Sequence, residues 1–499
     1  MSNKRSILVA TIGTRDLAFQ VSTGEWRNIG DKQAEGNSKT DRMLVQEDVG
    51  KVNTSLREIT NFFLESWDEY SDRLQPIIIG QLLQDKSKEL EKIYLIGTDQ
   101  LESVSFRGED TLYSAKIIQL WIKKYFEVPV EVILQGHEGY NPSNFEEMFQ
   151  WWKGIWNYIT SKLSEDLPVI LCLKGGVGQS SEASRITALS QFAENAIFYD
   201  FSIDKERNLS GKASLYGNPS LGANYLWDRR QKEALALLKR FDYEAVDSIL
   251  KPYFSQNLHI EKLLEAAMYW NNSKFQEFAD VLGDKAQERS QQWWWTGYEA
   301  AYLGVVRLTQ ENIVEAFFHS FRTFEGIFSK WGDQEFRGHI HKEKGKPMLQ
   351  PSILTDEKNY FQTAKFKSNG DPKDDLAKLK CKIEKESGIL LDLSSLCKLF
   401  RNIRKNYETD CKELKMFWKE GLKITDRRNI VFHQLLGMTE TQLWEFWEVQ
   451  GQIEWENQIL SFLNFITEQT FDSLGQASLM ANIHQDIEKA IAKYQPASI

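Results

Sequence analysis

An arginine, an asparagine and a histidine stand close together in the sequence, at Arg428, Asn429 and His433. Asn429 and His433 are four residues apart, so a helix would place them on one face, and the long side chain of Arg428 can reach the same side. An imidazole can take a proton from a ribose 2′-hydroxyl or give one to a departing 5′-oxygen. A guanidinium binds phosphate oxygens and stabilises added negative charge. The three residues therefore suit cleavage of RNA without a metal ion.

The local sequence predicts how these side chains would be held. Thr425 or Asp426 can cap the start of a short helix and Gly437 can end it, which predicts a helix over residues 427–436. One histidine cannot conveniently make both proton transfers at one scissile bond, whereas a symmetric dimer would pair two such helices. From spacing alone, a capped surface helix in which His433 has no catalytic role stays open.

Four candidate strands in the N-terminal part are each followed by a turn that contains glycine and polar residues. In an open parallel sheet the carboxyl ends of the strands lie along one edge, where ligands bind. Glycine lets backbone N–H groups approach a ligand, and the start of the following helix favours an anion. Together the turns favour a pocket for a phosphate-bearing ligand over ordinary turn chemistry. They are Gly13-Thr14-Arg15, Gly97-Thr98-Asp99-Gln100, Gly136-His137-Glu138 and Lys174-Gly175-Gly176.

The last of these turns, from Lys174 to Ser180, has the strand-to-helix context of a phosphate-binding loop. Leu173 stands where the first glycine of a nucleotide-hydrolysing loop belongs, and Gln179 replaces its lysine. Without that lysine the loop lacks its main charge on the transferred phosphate. We therefore expect binding of a phosphodiester or nucleotide without hydrolysis, and keep an ATPase as a minor alternative.

The elements that position these turns change character along the chain. Up to residue 205, short apolar runs alternate with amphipathic stretches such as Asp110–Lys124 and Asn144–Leu163, which predicts a Rossmann-like α/β domain with a parallel sheet. Residues 206–222 are polar and rich in glycine and serine, which indicates a linker or an exposed hairpin. The strand candidates are Ser6–Ile12, Ile93–Ile96, Val130–Leu134, Val169–Leu173 and Ala196–Phe201.

Beyond Trp227 nearly all of the sequence has helical periodicity, which predicts an all-α C-terminal half. Gly332–Asp375 is polar and unperiodic, and we expect a loop or an insertion there. We therefore divide the chain into an α/β domain at residues 1–205, a linker and helical connector at 206–290, and a helical domain at 291–499.

Charge is patterned rather than uniform. The 499 residues carry 61 Lys and Arg against 71 Asp and Glu, a net charge of −10, which argues against a protein that coats nucleic acid non-specifically. Between Lys398 and Arg428, however, ten basic residues face five acidic ones, so a local basic approach leads to the candidate catalytic residues. We see no helix-turn-helix with a basic recognition helix and expect no DNA partner.

Cysteine spacing and hydropathy narrow the class of protein further. The four cysteines form no CxxC pair and no Cys/His cluster, which excludes a disulfide scaffold and a zinc finger. The N-terminal apolar run is too short for a signal peptide, and no apolar run approaches the ~20 residues of a membrane span. We expect a cytoplasmic protein without a membrane partner.

Two parts of the chain resemble known families. Arg428-Asn429-Ile430-Val431-Phe432-His433 resembles the R-N-x-x-x-H signature of HEPN ribonucleases, and Glu315–Glu325 resembles their earlier core helix. The N-terminal part resembles the CARF domain, the Rossmann-like, parallel-sheet sensor of cyclic oligoadenylate in type III CRISPR systems. Its matching segments are the first strand ending in Gly13-Thr14, the Thr98-Asp99-Gln100 turn with Asp110-Thr111 downstream, and the Lys174-Gly175-Gly176 loop leading into a helix.

The resemblance to CARF-HEPN proteins implies a homodimer whose CARF pocket binds cyclic tetra- or hexa-adenylate and thereby activates a composite ribonuclease site between two HEPN domains. It implies that Arg428 and His433 from two protomers cleave single-stranded RNA by 2′-hydroxyl attack, with Asn429 polarising or structural, and that no metal or cofactor is needed beyond the activating ligand. Lys174 and Gln179 depart from the usual family residues and leave the ring size open. The expected activator contacts are Gly13, Thr14, Arg15, Thr98, Asp99, Gln100, Lys174, Gly175, Gly176, Gln179 and Ser180.

Two other functions stay open. The CARF pocket could itself degrade its activator as a ring nuclease, which needs in-line geometry and a few polar groups such as Lys174 and Thr14. Alternatively, the chain could be a non-enzymatic sensor whose helical half, with its Trp293-Trp294-Trp295 run, binds a protein partner, while His433 is merely structural.

Overall fold

The computed structural model describes residues 5–33, 38–137, 140–163, 167–202, 204–254, 258–386, 388–404 and 437–495. The chain divides into two compact units. The first is Met1–Arg229 together with Gln495–Ile499, and the second is Arg230–Tyr494.

The first unit contains the strands predicted for the α/β domain and further strands up to residue 221. They are β1 (Ser6–Thr11), β2 (Leu17–Gln20), β3 (Trp26–Asn28), β4 (Leu74–Pro76), β5 (Leu90–Thr98), β6 (Val130–Gln135), β7 (Val169–Cys172), β8 (Ala196–Phe198), β9 (Phe201–Ser202), β10 (Leu215–Tyr216) and β11 (Ser220–Leu221). The helices up to residue 238 are α1 (Asp41–Asp48), α2 (Leu56–Glu65), α3 (Trp67–Tyr70), α4 (Gly80–Lys86), α5 (Leu112–Tyr125), α6 (Phe145–Thr160), α7 (Gly178–Phe192), α8 (Lys205–Leu209) and α9 (Gly222–Leu238).

Six strands form the main sheet, in the order β11-β8-β7-β1-β5-β6. All neighbours from β8 to β6 are parallel, and β11 is added antiparallel at one edge. The predicted parallel sheet is therefore confirmed. Because β1 lies between β5 and β7, the turns that follow these three strands meet at the same edge.

The central strand β1 packs against helices on both of its faces. Ile7 and Val9 belong to a buried cluster that includes Trp152 and Trp156 of α6. The alternate residues, such as Leu8, belong to a second cluster that includes residues of α2 and α5. This alternation is the period of two that a strand imposes, and it explains why the run is apolar throughout.

A second, three-stranded antiparallel sheet in the first unit has the order β3-β2-β4. This sheet is not predicted by the sequence, because its strands are three or four residues long and β3, Trp-Arg-Asn, is only half-buried. The polar segment 206–222 is also more ordered than a linker. It contains β10, which pairs with β9, and β11, which joins the main sheet.

The second unit is mostly helical, as predicted. Its long helices α14 (Trp295–Thr309) and α15 (Ile313–Glu335) are joined by a short turn, and α15 packs against both α17 (Leu393–Ile403) and α19 (Gln452–Thr467). Phe324 of α15 stacks on Phe462 of α19 with ring centroids 3.8 Å apart. The helices after residue 240 are α10 (Tyr243–Phe254), α11 (Leu258–Asn271), α12 (Phe275–Leu282), α13 (Asp284–Ser290), α14 (Trp295–Thr309), α15 (Ile313–Glu335), α16 (Asp375–Glu386), α17 (Leu393–Ile403), α18 (Glu440–Trp447), α19 (Gln452–Thr467), α20 (Leu474–Ala477) and α21 (Leu479–Lys493).

The polar segment Gly332–Asp375 is not simply a loop. It holds the end of α15 and a hairpin of β12 (Ile340–Glu343) and β13 (Lys346–Leu349), to which β14 (Ile389–Leu390) pairs. The connecting Lys344 and Gly345 both have positive φ, at 49° and 81°, the conformation that tight two-residue hairpins require. Because this exposed hairpin carries many charged residues, its sequence shows no alternation of apolar and polar residues that would predict strands. In the described parts of the chain, no helix has the length and apolar character needed to cross a membrane.

Candidate functional site

A cleft of about 720 Å³ opens where β1, β5 and β7 end. Its volume falls in the range of small-ligand sites, about 300–1,000 Å³. The lining residues come from the turns after these strands, from the loop between β5 and α5, from the loop before α6 and, for one residue, from the connection between β4 and α4. They are Ile12, Gly13, Thr14, Arg15, Asp16, Ile78, Thr98, Gln100, Val104, Phe106, Glu109, Asp110, Thr111, Asn141, Pro142, Ser143, Lys174, Gly175, Gly176 and Val177.

Eight of the eleven expected activator contacts line this cleft, and Asp99, Gln179 and Ser180 do not. The eight are Gly13, Thr14, Arg15, Thr98, Gln100, Lys174, Gly175 and Gly176. As the parallel topology predicts, turns that are far apart in the sequence meet at one edge of the sheet, and their residues line the same cleft. Of the Gly136-His137-Glu138 turn, His137 is exposed and outside the lining, and Glu138 lies outside the described residues.

The turns after β1 and β7 touch each other through their glycines. A Cβ atom on Gly175 would lie 2.3 Å from the nitrogen of Gly13 and 2.3 Å from the carbonyl oxygen of Thr11. Thr11 also donates its hydroxyl to the carbonyl oxygen of Gly175 at 2.6 Å. Gly176 has a φ of 88°, which favours glycine. The two turns therefore form one backbone cradle, beside the start of α7.

A buried carboxyl group lies under this cradle. The Asp16 side chain accepts a hydrogen bond from the N–H of Gly13 at 2.5 Å through Oδ2, and the residue is 2% exposed. Its Oδ1 has no hydrogen-bond partner among the described residues. Burial raises the pKa of Asp16 to about 7, although the Gly13 hydrogen bond acts in the opposite direction. The floor of the cleft thus holds a carboxyl group that is readily protonated near neutral pH.

The ends of β1 and β5 are tied to the start of α5 by two threonines. Thr111 accepts from the N–H of Thr98 at 3.0 Å and donates to the carbonyl oxygen of Ile12 at 3.0 Å. In return, the N–H of Thr111 donates to the hydroxyl of Thr98 at 2.9 Å. These exchanges satisfy backbone groups that the end of a strand would otherwise leave unpaired.

The loop between β5 and α5 is anchored at its acidic residues. Asp110, whose side chain is fully buried, accepts from the N–H of Gln100 at 2.7 Å and from Arg57 of α2 at 3.2 Å. Glu109 forms a two-pronged ion pair with the buried Arg42 of α1, at 2.7 and 2.9 Å. Burial would raise the pKa of Glu109, but Arg42 and Lys32 outweigh it and hold the pKa below its usual value. This wall of the cleft is therefore fixed by charged contacts.

Two of the expected contacts outside the cleft have structural partners instead. The Ser180 hydroxyl hydrogen-bonds Gln135 and accepts from the indole N–H of Trp152 at 3.0 Å. Asp99 pairs with Arg57 at 2.7 Å. Gln179 is exposed on the first turn of α7.

The cleft combines a backbone cradle with two cationic side chains. Lys174 is exposed at its edge, and Arg15 pairs with Asp31 at 3.2 Å while keeping much of its side chain accessible. Backbone N–H groups, a helix start and a lysine together suit an anionic, phosphate-bearing ligand. In the described part of the chain no group of three or more His, Cys, Asp or Glu residues is placed to hold a metal ion.

Several lining residues were not predicted from the sequence. Asp16, Glu109 and Phe106 were not singled out, nor was the loop 141–143. Asp16 could have been noticed, since an acidic residue directly after a glycine turn is unusual beside a site for anions. The others come from loops whose approach to the strand ends follows from tertiary packing alone.

The predicted catalytic residues Arg428, Asn429 and His433, and the predicted helix over residues 427–436, lie outside the described residues. The segment Glu315–Glu325 does lie within the long helix α15. His319 is buried in it, and burial, followed by Arg307 and Arg322, lowers its pKa to about 4. A neutral, buried His319 fits a core position rather than proton transfer near neutral pH.

Part of the basic segment starting at Lys398 lies beside acidic residues that are distant in sequence. Lys398 and Arg401 line a small cleft of about 270 Å³ with Asp374 and Asp375. Arg404 forms an ion pair with Glu468. Acidic neighbours therefore offset part of the positive charge of the first residues of this segment, which are the ones that the structure describes.

No protein-family model and no curated protein matches the sequence. Among solved structures, the chain is similar to Enterococcus italicus Csm6 bound to cyclic hexa-2′-fluoro-hexa-dAMP, with a TM-score of 0.59 and 13% sequence identity. The similarity covers 97% of this chain and 99% of that chain. It extends over both the α/β part and the helical part. The likeness shows a shared fold, in which a Rossmann-like α/β part with a parallel sheet is followed by a mostly helical part, as the sequence resemblance implied.

Proposed function

We propose that this protein is an endoribonuclease of type III CRISPR defence that is activated by a cyclic oligoadenylate. The observation that carries the proposal is the cleft at the ends of β1, β5 and β7, in a chain that shares nearly its whole fold with a Csm6 protein bound to a cyclic hexanucleotide. We assign activator binding to residues 1–205, a connecting role to 206–290 and RNA cleavage to 291–499.

The cleft offers the groups that a cyclic oligonucleotide needs. Its phosphodiesters can be bound by the backbone of the Gly13 and Gly175 turns, by the start of α7 and by Lys174. The Thr14 side chain lines the same cleft and is available to riboses and bases, whereas the amide nitrogen of Gln100, which also lines it, already donates to Asp110 at 2.9 Å. A homodimer would double these groups and match the symmetry of a ring with an even number of nucleotides.

Cleavage is assigned to Arg428 and His433 from two protomers, on the resemblance of their motif to HEPN ribonucleases. The 2′-oxygen of a single-stranded RNA attacks the adjacent phosphorus while one His433 accepts its proton. The bond to the 5′-oxygen breaks, and the second His433 supplies a proton to that leaving group. Arg428 stabilises the charge on the pentacoordinate phosphorus, and Asn429 orients the group. No metal ion takes part in these steps.

A binding screen and a cleavage assay test this function together. Cyclic oligoadenylates of three to six units are screened by thermal shift, and any ring that binds is added to a fluorescent single-stranded RNA with EDTA present. We expect one ring to raise the melting temperature and to switch on cleavage. His433→Ala and Arg428→Ala should each lower the rate at least about a hundredfold, while His341→Ala, on the exposed hairpin, should not. Undiminished cleavage by either catalytic variant would overturn the assignment.

A ring nuclease is a second candidate for the same cleft, because both Thr14 and Lys174, the groups it would use, line it. The His433→Ala protein separates the two activities, since linear products from a cyclic oligoadenylate would then come from the cleft. Loss of those products in Thr14→Ala would support this activity, and an intact ring after prolonged incubation would exclude it.

A further inference from the structure

One aromatic side chain stands unusually exposed at the edge of the cleft. Phe106, on the loop between β5 and α5, lines the cleft and is 74% exposed. Leaving a phenyl ring in water gives up the favourable free energy that its burial would contribute. Because this ring also lines the cleft, its exposed face is available for contact with a ligand bound there.

The backbone that carries this ring is fixed. Residues Ser105–Glu109 form a 3-10 helix, and the N–H of Arg107 donates to the carbonyl oxygen of Val104 at 3.1 Å. The Arg107 side chain donates to the carbonyl oxygen of Gln100 at 3.0 Å. Gly108 lies against Ser55, the N-cap residue of α2, with room for no more than a tight Cβ contact at 3.1 Å. The ring is thus presented from a rigid support rather than from a loose loop.

The loop before α6 brings polar groups to the same cleft. Asn141 and Ser143 both line it. The carbonyl oxygen of the Asn141 side chain accepts from the N–H of Ser143 at 2.9 Å, which fixes the turn. Within the described residues, the amide nitrogen of Asn141 and the hydroxyl of Ser143 make no hydrogen bond and remain available to a ligand.

We infer that Phe106 is the stacking platform for a purine base of the bound nucleotide, and that Asn141 and Ser143 hydrogen-bond the edge of that base. Aromatic side chains at a nucleotide site bind the π-face of a base, and the amide and hydroxyl complement its donor and acceptor atoms. The inference rests on the proposed function and deepens it, because it separates base recognition at the loop from phosphate recognition at the glycine turns.

The test compares four variants with the wild-type protein by isothermal titration with the ring that gives the largest thermal shift. Phe106→Ala and Phe106→Leu should bind about ten- to a hundredfold more weakly, because both lose the stacking face. Phe106→Tyr should bind within about threefold of wild type, since it keeps the aromatic ring. Leu101→Ala is the matched control: Leu101 is on the same loop and 49% exposed but outside the lining, so it should leave binding unchanged.

The outcomes distinguish failure of this inference from failure of the proposed function on which it rests. If the wild-type protein binds none of the rings, the proposed function fails and the inference fails with it. If the wild-type protein binds a cyclic oligoadenylate and Phe106→Ala or Phe106→Leu binds it equally well, the inference that Phe106 stacks on a base is overturned, while the proposed function stands. The last control is a measurement of molecular mass by light scattering. If Phe106→Ala is monomeric where the wild-type protein is a dimer, the Phe106 side chain serves contact between protein copies, and the inference is overturned.

Discussion

Gly175 packs directly against Gly13, so that a Cβ atom on Gly175 would lie 2.3 Å from the Gly13 nitrogen. The neighbouring atoms are backbone and cannot rotate away as a flexible side chain would. We expect Gly175→Ala to destabilise the protein by about 2–3 kcal/mol and to weaken ligand binding, since the cradle must open.

Gly178→Ala is the control for this prediction, because a Cβ atom there meets nothing within 4 Å. It should be neutral or slightly stabilising. Urea unfolding followed by circular dichroism compares the two variants, and equal midpoints would contradict the close approach of the two turns.

The ion pair between Glu109 and Arg42 is a second point to test. Glu109→Gln leaves the buried Arg42 guanidinium without its carboxylate partner, and such losses cost roughly 3 kcal/mol. Glu102→Gln removes an exposed carboxylate that pairs with Arg107, and such pairs contribute less than about 1 kcal/mol. Thermal unfolding should therefore separate the two variants clearly. Equal melting temperatures would show that Arg42 is satisfied by the carbonyl groups of Ile29 and Gly30 alone.

The buried Asp16 makes stability depend on pH. Its carboxyl titrates near pH 4 when unfolded and at about pH 7 when folded. Between these values the folded protein binds the extra proton, so the contribution of Asp16 to stability is complete below about pH 4 and is lost as the pH rises to about 7.

Asp16→Asn should remove this dependence while keeping an oxygen that can accept from Gly13. Relative to wild type, we expect the variant to gain on the order of 2–3 kcal/mol between pH 5 and pH 8. Urea unfolding at both values measures the difference, in which contributions from other titrating groups cancel. A constant difference across that range would show that Asp16 is not protonated in the folded protein.

Lys174 is the exposed cation at the edge of the cleft, and we expect Lys174→Ala to weaken activator binding about tenfold. The loss should shrink as salt is added, since the interaction is electrostatic. Lys88→Ala provides the comparison, because this exposed lysine lies outside the cleft lining. Titration at two salt concentrations checks both expectations, and a salt-independent loss would point to packing rather than charge.

The sequence predicted the main sheet because its strands are apolar on both faces and regularly separated by helices. The runs at Ser6–Ile12 and Val130–Leu134 correspond closely to β1 and β6. The β3-β2-β4 sheet and the β12-β13 hairpin were missed for one reason. Neither has a detectable hydrophobic alternation: β2, β3 and β4 are only three or four residues long, and the hairpin strands carry charged, exposed residues, so pairing with neighbours determines them.

The candidate cleft was predictable in part for a related reason. Parallel topology alone brings the Gly13, Thr98 and Gly175 turns together, whatever the side chains do. Whether a polar residue near such a turn faces the cleft depends on packing. Ser180 illustrates this, because its hydroxyl is held by Gln135 and Trp152 beneath the sheet edge. The motif of Arg428 and His433 stays a prediction that the experiments above address.

The contacts of Arg42 and Arg57 with the β5–α5 loop have a thermodynamic consequence for recognition. Ordering a residue costs about 1–2 kcal/mol of conformational entropy, and here that cost falls on folding, not on each encounter with a ligand. Affinity then follows from how well a molecule fits walls that are already in position. We therefore expect the affinity of the cleft to differ strongly between cyclic oligoadenylates that differ in size by one nucleotide.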